Sequence, residues 1–339
     1  MLSYPRALGA ALVAGSILLT AACGSGPAGN GDADPGQVSI VTAFYPLQFV
    51  SERIAGAHGH VTSLTQPGTE PHDLELTPKQ VGSMADADLV VYEKSFQAAV
   101  DTAVEQSGQT EVVDVAAVVP LQPLAAGEHD HEDEGHDHEG EDHDHEGEQQ
   151  DHDGEAGEGH AEHDHGDLDP HVWLDPSNMV LIAEAVTAKL VEADPDHAAD
   201  YRSNLTALTG ELNGLDQEFA HGLQSCERKE FVVSHAAFGY LARKYGLTQI
   251  GISGLSPDAE PSPARIAAVH EEIARHDVTT IFYETLVSPA VAESIAKDLG
   301  LTTAVLDPLE GLTGESAGED YVAVMRSNLT ALRTANGCR

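Results

Sequence analysis

Short apolar, β-branched runs alternate with helix-like segments along most of this 339-residue chain. The predicted strands are Val38–Phe44, Val61–Thr65, Leu89–Glu93, Val112–Val115, Phe231–Ser234, Thr248–Ile252, Thr280–Tyr283 and Thr303–Leu306. The predicted helices between them are Leu47–Ala57, Pro78–Ala85, Phe96–Ser107, Ala236–Tyr245, Pro263–His276 and Pro289–Leu299. Strands that are apolar throughout and separated by helices are typical of parallel sheets covered on both faces. Four predicted strands lie on each side of the middle, so we predict an α/β protein with two lobes, each a roughly four-stranded parallel sheet flanked by helices.

The middle of the chain predicts one long helix. Asp194-Pro195 supplies an N-cap followed by proline at the first helical position. An apolar stripe then recurs every three or four residues at Tyr201, Leu205, Leu208, Leu212, Leu215 and Phe219. We expect a helix of about 28 residues, roughly 40 Å long, that joins the two lobes as a single rigid connector.

Negative charge is concentrated in one insert. The chain has 57 Asp and Glu against 16 Lys and Arg, a net charge of −41. Residues 128–169 carry 20 of these acids and 10 of the 19 histidines, with no Lys or Arg. The negative electrostatic field of such a chain disfavours nucleic acids and anionic lipid surfaces as partners. Cationic ligands remain compatible with it. The insert has almost no apolar residues, so we expect it to be disordered unless something binds it.

The N-terminus resembles an export signal. Arg6 precedes an apolar run over 7–19, which is too short to span a bilayer. Small residues then lead to Cys23, as in a bacterial lipobox, although Thr20 replaces the usual aliphatic residue. We predict lipidation of Cys23 and extracytoplasmic anchoring to the cell membrane, with plain secretion as the alternative.

Two further cysteines, Cys226 and Cys338, form an even pair outside the cytoplasm, which predicts a disulfide bond. The predicted organisation is a signal peptide (1–22), a flexible tether (23–37), a first lobe (38–127 and 169–193), a disordered His/Asp/Glu-rich loop (128–168), a linking helix (194–225) and a second lobe (226–339).

Four single residues indicate a metal site. His72 lies just past the second predicted strand, and His171 just past the acidic insert. His235 and Asp307 each directly follow a strand of the second lobe. Ligands of open α/β sheets bind beyond the carboxyl ends of the strands, so these residues can converge there. Three imidazoles and one carboxylate suit a four-coordinate, borderline metal such as zinc.

Several phrases, in order along the chain, resemble the zinc-specific solute-binding proteins of ABC importers. These are GTEPHDLELTP (68–78), DPHVWLDP (169–176), VSHAAFGYLARKYGL (233–247), IFYETLVSP (281–289) and LDPLEGL (306–312). The resemblance implies two α/β lobes joined by one long helix, with one metal ion in the cleft between them. It places the ligands at His72, His171, His235 and Asp307, and the third imidazole favours Zn²⁺ over Mn²⁺.

Other residues have less defined roles. Glu70 competes with Asp307 as the oxygen ligand. Glu284 and Glu70 are also candidates for orienting a ligating histidine through its second ring nitrogen. Trp173, the only tryptophan, is expected to pack near the cleft without a binding role. The insert predicts a low-affinity metal-binding loop, since its imidazoles are clustered. These are His129, His131, His136, His138, His143, His145, His152, His160, His163 and His165.

The sequence therefore predicts a monomeric, non-catalytic lipoprotein that captures Zn²⁺ and delivers it to the membrane permease of an ABC importer. A second hypothesis is a zinc-dependent hydrolase, in which the three histidines hold an activated water at an open coordination position. A third is a surface adhesin or metal buffer that depends on the insert rather than on the cleft.

Overall fold

The computed structural model describes residues 36–124 and 168–339. The predicted signal peptide, Cys23 and the ten histidines of the predicted loop lie outside these ranges. Within the described ranges, none of the helices combines the length and the apolarity needed to cross a membrane.

The first sheet has four parallel strands in the order β2-β1-β3-β4. Its strands are β1 (Val38–Thr42), β2 (Gly59–Ser63), β3 (Leu89–Tyr92) and β4 (Val112–Asp114). The helices around it are α1 (Tyr45–Ala55), α2 (Pro78–Ala85), α3 (Ala98–Ser107) and α4 (Val115–Val118). The third strand is buried along its whole length, as expected for a parallel sheet covered on both faces.

A short antiparallel ribbon and two long helices follow. The ribbon consists of β5 (Gln122–Pro123) and β6 (Leu168–Asp169), and the helices are α5 (Pro176–Ala193) and α6 (Ala198–Leu223). A 3₁₀ turn at Pro195–His197 leads into α6, whose 26 residues give a length of about 39 Å. Five of the six residues of the predicted stripe are buried, and Leu205 is half-buried. The predicted long helix is confirmed.

The second sheet repeats the connectivity of the first, in the order β10-β9-β7-β8. Its strands are β7 (Glu230–Val233), β8 (Thr248–Gly251), β9 (Thr280–Tyr283) and β10 (Thr302–Val305). The helices are α7 (Gly239–Tyr245), α8 (Pro263–Arg275), α9 (Ala290–Leu299) and α10 (Tyr321–Asn336). In both sheets the first strand lies between the second and the third. The predicted fold class, two parallel four-stranded sheets with a long helix between them, is confirmed.

The two sheets also share a register. Thr42 of β1 pairs with Val91 of β3, and Val233 of β7 pairs with Phe282 of β9. Two residues further along, the first sheet ends in Phe44 and Glu93, and the second in His235 and Glu284. The carboxyl end of each sheet therefore carries a glutamate at the same position, but only the second sheet places a histidine opposite it.

The disulfide bond between Cys226 and Cys338 is present, as predicted. Cys226 follows α6 and Cys338 follows α10, so the bond joins the end of the chain to the end of the long helix. Backbone hydrogen bonds reinforce this junction, since Arg339 N donates to Ser225 O at 3.0 Å.

Candidate metal centre

Three histidines and one glutamate converge at the carboxyl ends of the two sheets. His72 lies in the loop after β2, His171 follows β6, His235 follows β7 and Glu310 lies in the loop after β10. One ligand atom from each residue lies within 4.8 Å of those of the other three. All four side chains are buried, and Glu310 has no exposed surface. The structure therefore brings together the three predicted histidines from segments on both sides of the long helix.

The distances from Glu310 to the three histidines match the edges of a tetrahedral metal site. Glu310 Oε1 lies 3.3 Å from Nε2 of His72, 3.3 Å from Nε2 of His171 and 3.2 Å from Nε2 of His235. Ligands at zinc–nitrogen and zinc–oxygen bond lengths near 2.1 Å lie about 3.4 Å apart along the edges of a tetrahedron. The four atoms are thus close enough together to share one metal ion.

Two of the histidines are oriented by carboxylates that contact Nδ1, the ring nitrogen that faces away from Glu310. His235 Nδ1 lies 2.7 Å from Glu284 Oε1, which also accepts a hydrogen bond from Ser234 Oγ at 2.8 Å. His171 Nδ1 lies 2.9 Å from Asp169 Oδ1, which also accepts the His171 backbone N–H at 3.0 Å. We infer that each Nδ1 carries the proton, so that each Nε2 lone pair points at Glu310. Lone pairs facing a carboxylate repel it unless a cation lies between them.

The carboxylates around the site favour positive charge there, supplied either by a metal ion or by protonation of the imidazoles. Burial opposes protonation of His171 and His235, but the neighbouring carboxylates outweigh burial and raise the pKa of both imidazoles. For His72, burial dominates and lowers the pKa. Burial alone would raise the pKa of Glu310, but the facing histidines hold that pKa well below its usual value. Glu310 is therefore ionised, in an interior that favours positive charge.

Glu70 supports the loop that carries His72. Its carboxylate accepts the backbone N–H of His72 at 2.9 Å and that of Asp73 at 3.4 Å. Its Oε1 lies 3.9 Å from His72 Nε2, farther away than Glu310. Burial raises the pKa of Glu70 to about 7. With Asp73 and Asp258 of the second lobe, Glu70 forms a separate acidic group at a more exposed position.

At the fourth position the structure brings Glu310 to the three histidines. The predicted ligand Asp307 is not among the converging residues. Asp307 Oδ1 accepts the backbone N–H of Leu309 at 2.8 Å, and Oδ2 accepts from Ser316 Oγ at 3.2 Å. Leu309 adopts a left-handed backbone conformation, φ +61°, which turns the chain so that Glu310 enters the site. Asp307 therefore stabilises the turn, and its burial raises its pKa to about 6.

Aromatic side chains close one side of the site. The ring centroids of Phe96 and His72 lie 4.7 Å apart, and those of Trp173 and His171 lie 5.2 Å apart. Trp173 Nε1 also donates to the carbonyl of Pro308 at 2.7 Å. This wall excludes water, so the charges inside interact more strongly than in solvent.

Sequence reasoning missed two residues of the site, Glu310 and Asp169. Glu310 lies within the LDPLEGL motif, three residues after Asp307, and this was the available signal. Asp169 belongs to the DPHVWLDP motif, but it is also the last of the 20 acids of the insert region. Only the fold distinguishes Asp169 from the others, since it is buried and bonded to His171.

Comparison with known proteins relates the chain to zinc-uptake proteins. Residues 40–335 match the family described as ZnuA, zinc-uptake complex component A, periplasmic. The high-affinity zinc uptake system protein ZnuA of Bacillus subtilis is 36% identical over 326 residues, which cover 95% of each chain. The zinc-binding lipoprotein AdcA of Streptococcus pneumoniae is 38% identical over 306 residues. That alignment covers 88% of this chain but 56% of AdcA, so the chain spans little more than half the length of this relative.

A solved structure shows the same architecture. The Zn(II)-bound ZnuA-like domain of Streptococcus pneumoniae AdcA aligns with a TM-score of 0.67 and 34% identity. The alignment covers 89% of this chain and 99% of that domain. The match over most of the chain confirms the resemblance predicted from the sequence motifs, and the chain belongs to the ZnuA family.

Proposed function

We propose that this protein captures Zn²⁺ between its two lobes with His72, His171, His235 and Glu310, and delivers it to the permease of an ABC importer. The observation that carries the proposal is the convergence of three Nε2 atoms on one buried carboxylate oxygen, at 3.2–3.3 Å. Two relatives are named for zinc binding or zinc uptake.

The donor set supports zinc over manganese. Three imidazoles suit a borderline ion such as Zn²⁺, whereas Mn²⁺ favours carboxylate, carbonyl and water oxygens. Only one oxygen ligand, from Glu310, is present in the converging group.

The same donor set supports transport over hydrolysis. A catalytic zinc site has three protein ligands and an open position for water. Here Glu310 takes the fourth position, and its buried carboxylate leaves the ion held by protein atoms alone. A carrier that sequesters its ion until delivery is therefore the better match to these residues.

The N-terminal sequence and the names of relatives support an extracytoplasmic location. Cys23 after small residues indicates a lipid anchor, and AdcA of Streptococcus pneumoniae is named a lipoprotein. We place the protein outside the cytoplasm, anchored through Cys23 and acting as a monomer. The histidines of the acidic loop provide weak additional sites, in keeping with a loop that collects Zn²⁺ and passes it inward.

A chelator-competition titration with Zn²⁺ tests the proposal. We expect one tight site in the apo protein, lost in His72→Ala and His235→Ala and retained in His221→Ala, which replaces an exposed histidine of α6. Deleting residues 128–167 should remove only weak sites. Unchanged tight binding in both cleft variants would refute the assignment, and loss of the tight site on deletion would place a primary ligand in the loop.

Hydrolysis provides the second arm. We expect the Zn²⁺-loaded protein to show no turnover of ester or peptide substrates above that of the His235→Ala variant. A turnover that requires His72, His171 and His235 would favour the hydrolase hypothesis instead.

A further inference from the structure

Arg243 of α7, in the second lobe, contacts the ribbon that precedes His171. Its Nη1 donates to the carbonyl of Pro123 at 3.1 Å, and its Nη2 lies 3.4 Å from Asp169 Oδ2. The guanidinium also lies over the Tyr240 ring, 5.1 Å from the centroid. Tyr240 Oη in turn accepts the backbone N–H of Gln122 at 2.9 Å. Both strands of the ribbon are thus held by one face of α7.

Asp169 connects this contact to the metal centre. Asp169 Oδ1 lies within hydrogen-bond distance of both the backbone N and the ring Nδ1 of His171, and Asp169 Oδ2 faces Arg243. Asp169 is only 1% exposed, so these few partners replace the hydrogen bonds that its carboxylate would make to water. The Asp169 carboxylate therefore connects the Arg243 guanidinium to the His171 imidazole.

The approach of α7 to Asp169 requires glycine. A Cβ atom at Gly239 would lie 2.3 Å from Asp169 Oδ2, well inside the contact limit. No larger side chain fits between the start of α7 and the carboxylate without displacing it. The close packing of α7 against Asp169 is thus built into the backbone at this point.

We propose that Arg243 is a positioning residue that couples the orientation of His171 to the closure of the two lobes. Arg243 belongs to the second lobe, whereas Asp169 and His171 precede the long helix. When the lobes separate, the guanidinium withdraws from Asp169, the carboxylate is free to rotate, and His171 loses its fixed orientation. Lobe opening therefore has two effects: it separates the ligands, and it weakens the hold of His171 on the ion. Both effects promote release of Zn²⁺. The inference rests on the proposed function.

Chelator-driven release of Zn²⁺, followed by stopped flow on the full-length protein, tests this coupling. Loss of a partner that orients a metal ligand costs about 10- to 100-fold in affinity. We expect Arg243→Gln to raise the dissociation rate of Zn²⁺ about tenfold with an unchanged association rate. Arg243→Lys should raise the dissociation rate by a smaller factor. Arg326→Gln is the control, because it removes a charge pair with Glu218 on the outer face of α6 and α10.

A double-mutant cycle separates positioning from general destabilisation. If Arg243 acts through Asp169, the Arg243→Gln/Asp169→Asn double variant should release Zn²⁺ no faster than Asp169→Asn alone. Release from Arg243→Gln at the wild-type rate, or additive effects in the double variant, would overturn the inference. If Arg243→Gln lowers the apo melting temperature, the same cycle run with Arg243→Lys decides the question. Failure of the wild-type protein to bind Zn²⁺ tightly would instead refute the proposed function, and this inference with it.

Discussion

Replacing Glu310 by glutamine should discriminate between the two carboxylates proposed for the fourth position. Glutamine keeps the size of the side chain but removes the charge that faces three imidazoles at 3.2–3.3 Å. Removing one partner of a fully buried charged group costs about 3–5 kcal/mol, which corresponds to roughly 200- to 5,000-fold weaker Zn²⁺ binding.

Asp307→Asn is the matched control. Asparagine retains an oxygen for the backbone N–H of Leu309, so its cost should not exceed that of one neutral hydrogen bond, about tenfold in affinity. Competition with a chelator of known affinity measures both variants against the wild type, and circular dichroism of the apo proteins checks that each is folded. A larger loss in Asp307→Asn than in Glu310→Gln would show that the carboxylate assignment is wrong.

Three further outcomes are expected. Reducing the Cys226–Cys338 bond opens a loop of 112 residues and should lower the melting temperature by at least about 5 °C in calorimetry; no change would mean that the bond is not formed. Burial, with Asp169 and other acids nearby, raises the pKa of Glu93 well above its usual value. The folded state therefore retains a proton that the unfolded state loses above pH 4.5, and wild-type stability falls relative to Glu93→Gln by up to about 1.4 kcal/mol per pH unit. Urea unfolding of the apo proteins from pH 4 to 8 measures this, and parallel pH profiles would contradict it. Trp173 lies beside His171, so Zn²⁺ should change the fluorescence of the only tryptophan with the stoichiometry of the tight site, and His171→Ala should abolish the change.

The strands and the long helix could be predicted from the sequence because their signals are local. Apolar β-branched runs and a stripe of period 3.6 depend only on neighbouring residues, and every predicted strand appears within two residues of its expected start. The ribbon was not predicted, since its strands have two residues each and are held by Tyr240 and Arg243 of α7. No local pattern encodes such a contact.

The metal centre was predictable as far as its ligands follow strand ends. His235 directly follows the segment predicted as a strand, and its backbone position alone brings it to the cleft. Glu310 lies five residues past β10, and its direction depends on the left-handed conformation of Leu309 and on the bonds of Asp307. A tertiary turn of this kind has no one-dimensional signature, so the sequence pointed to Asp307, the carboxylate nearer to the strand, rather than to Glu310.

The distribution of the ligands along the chain has a consequence for the lifetime of the protein. His72 and Glu310 enclose most of the described fold between them, so the ion can be held only when both sheets and the long helix are in place. Binding is then linked to global folding, and Zn²⁺ at 1,000 times its dissociation constant adds about 4 kcal/mol to the free energy of unfolding. Proteases act on the open or unfolded chain, so the carrier that remains empty is also the one most readily degraded. The zinc supply would in this way set how long each copy of the protein survives.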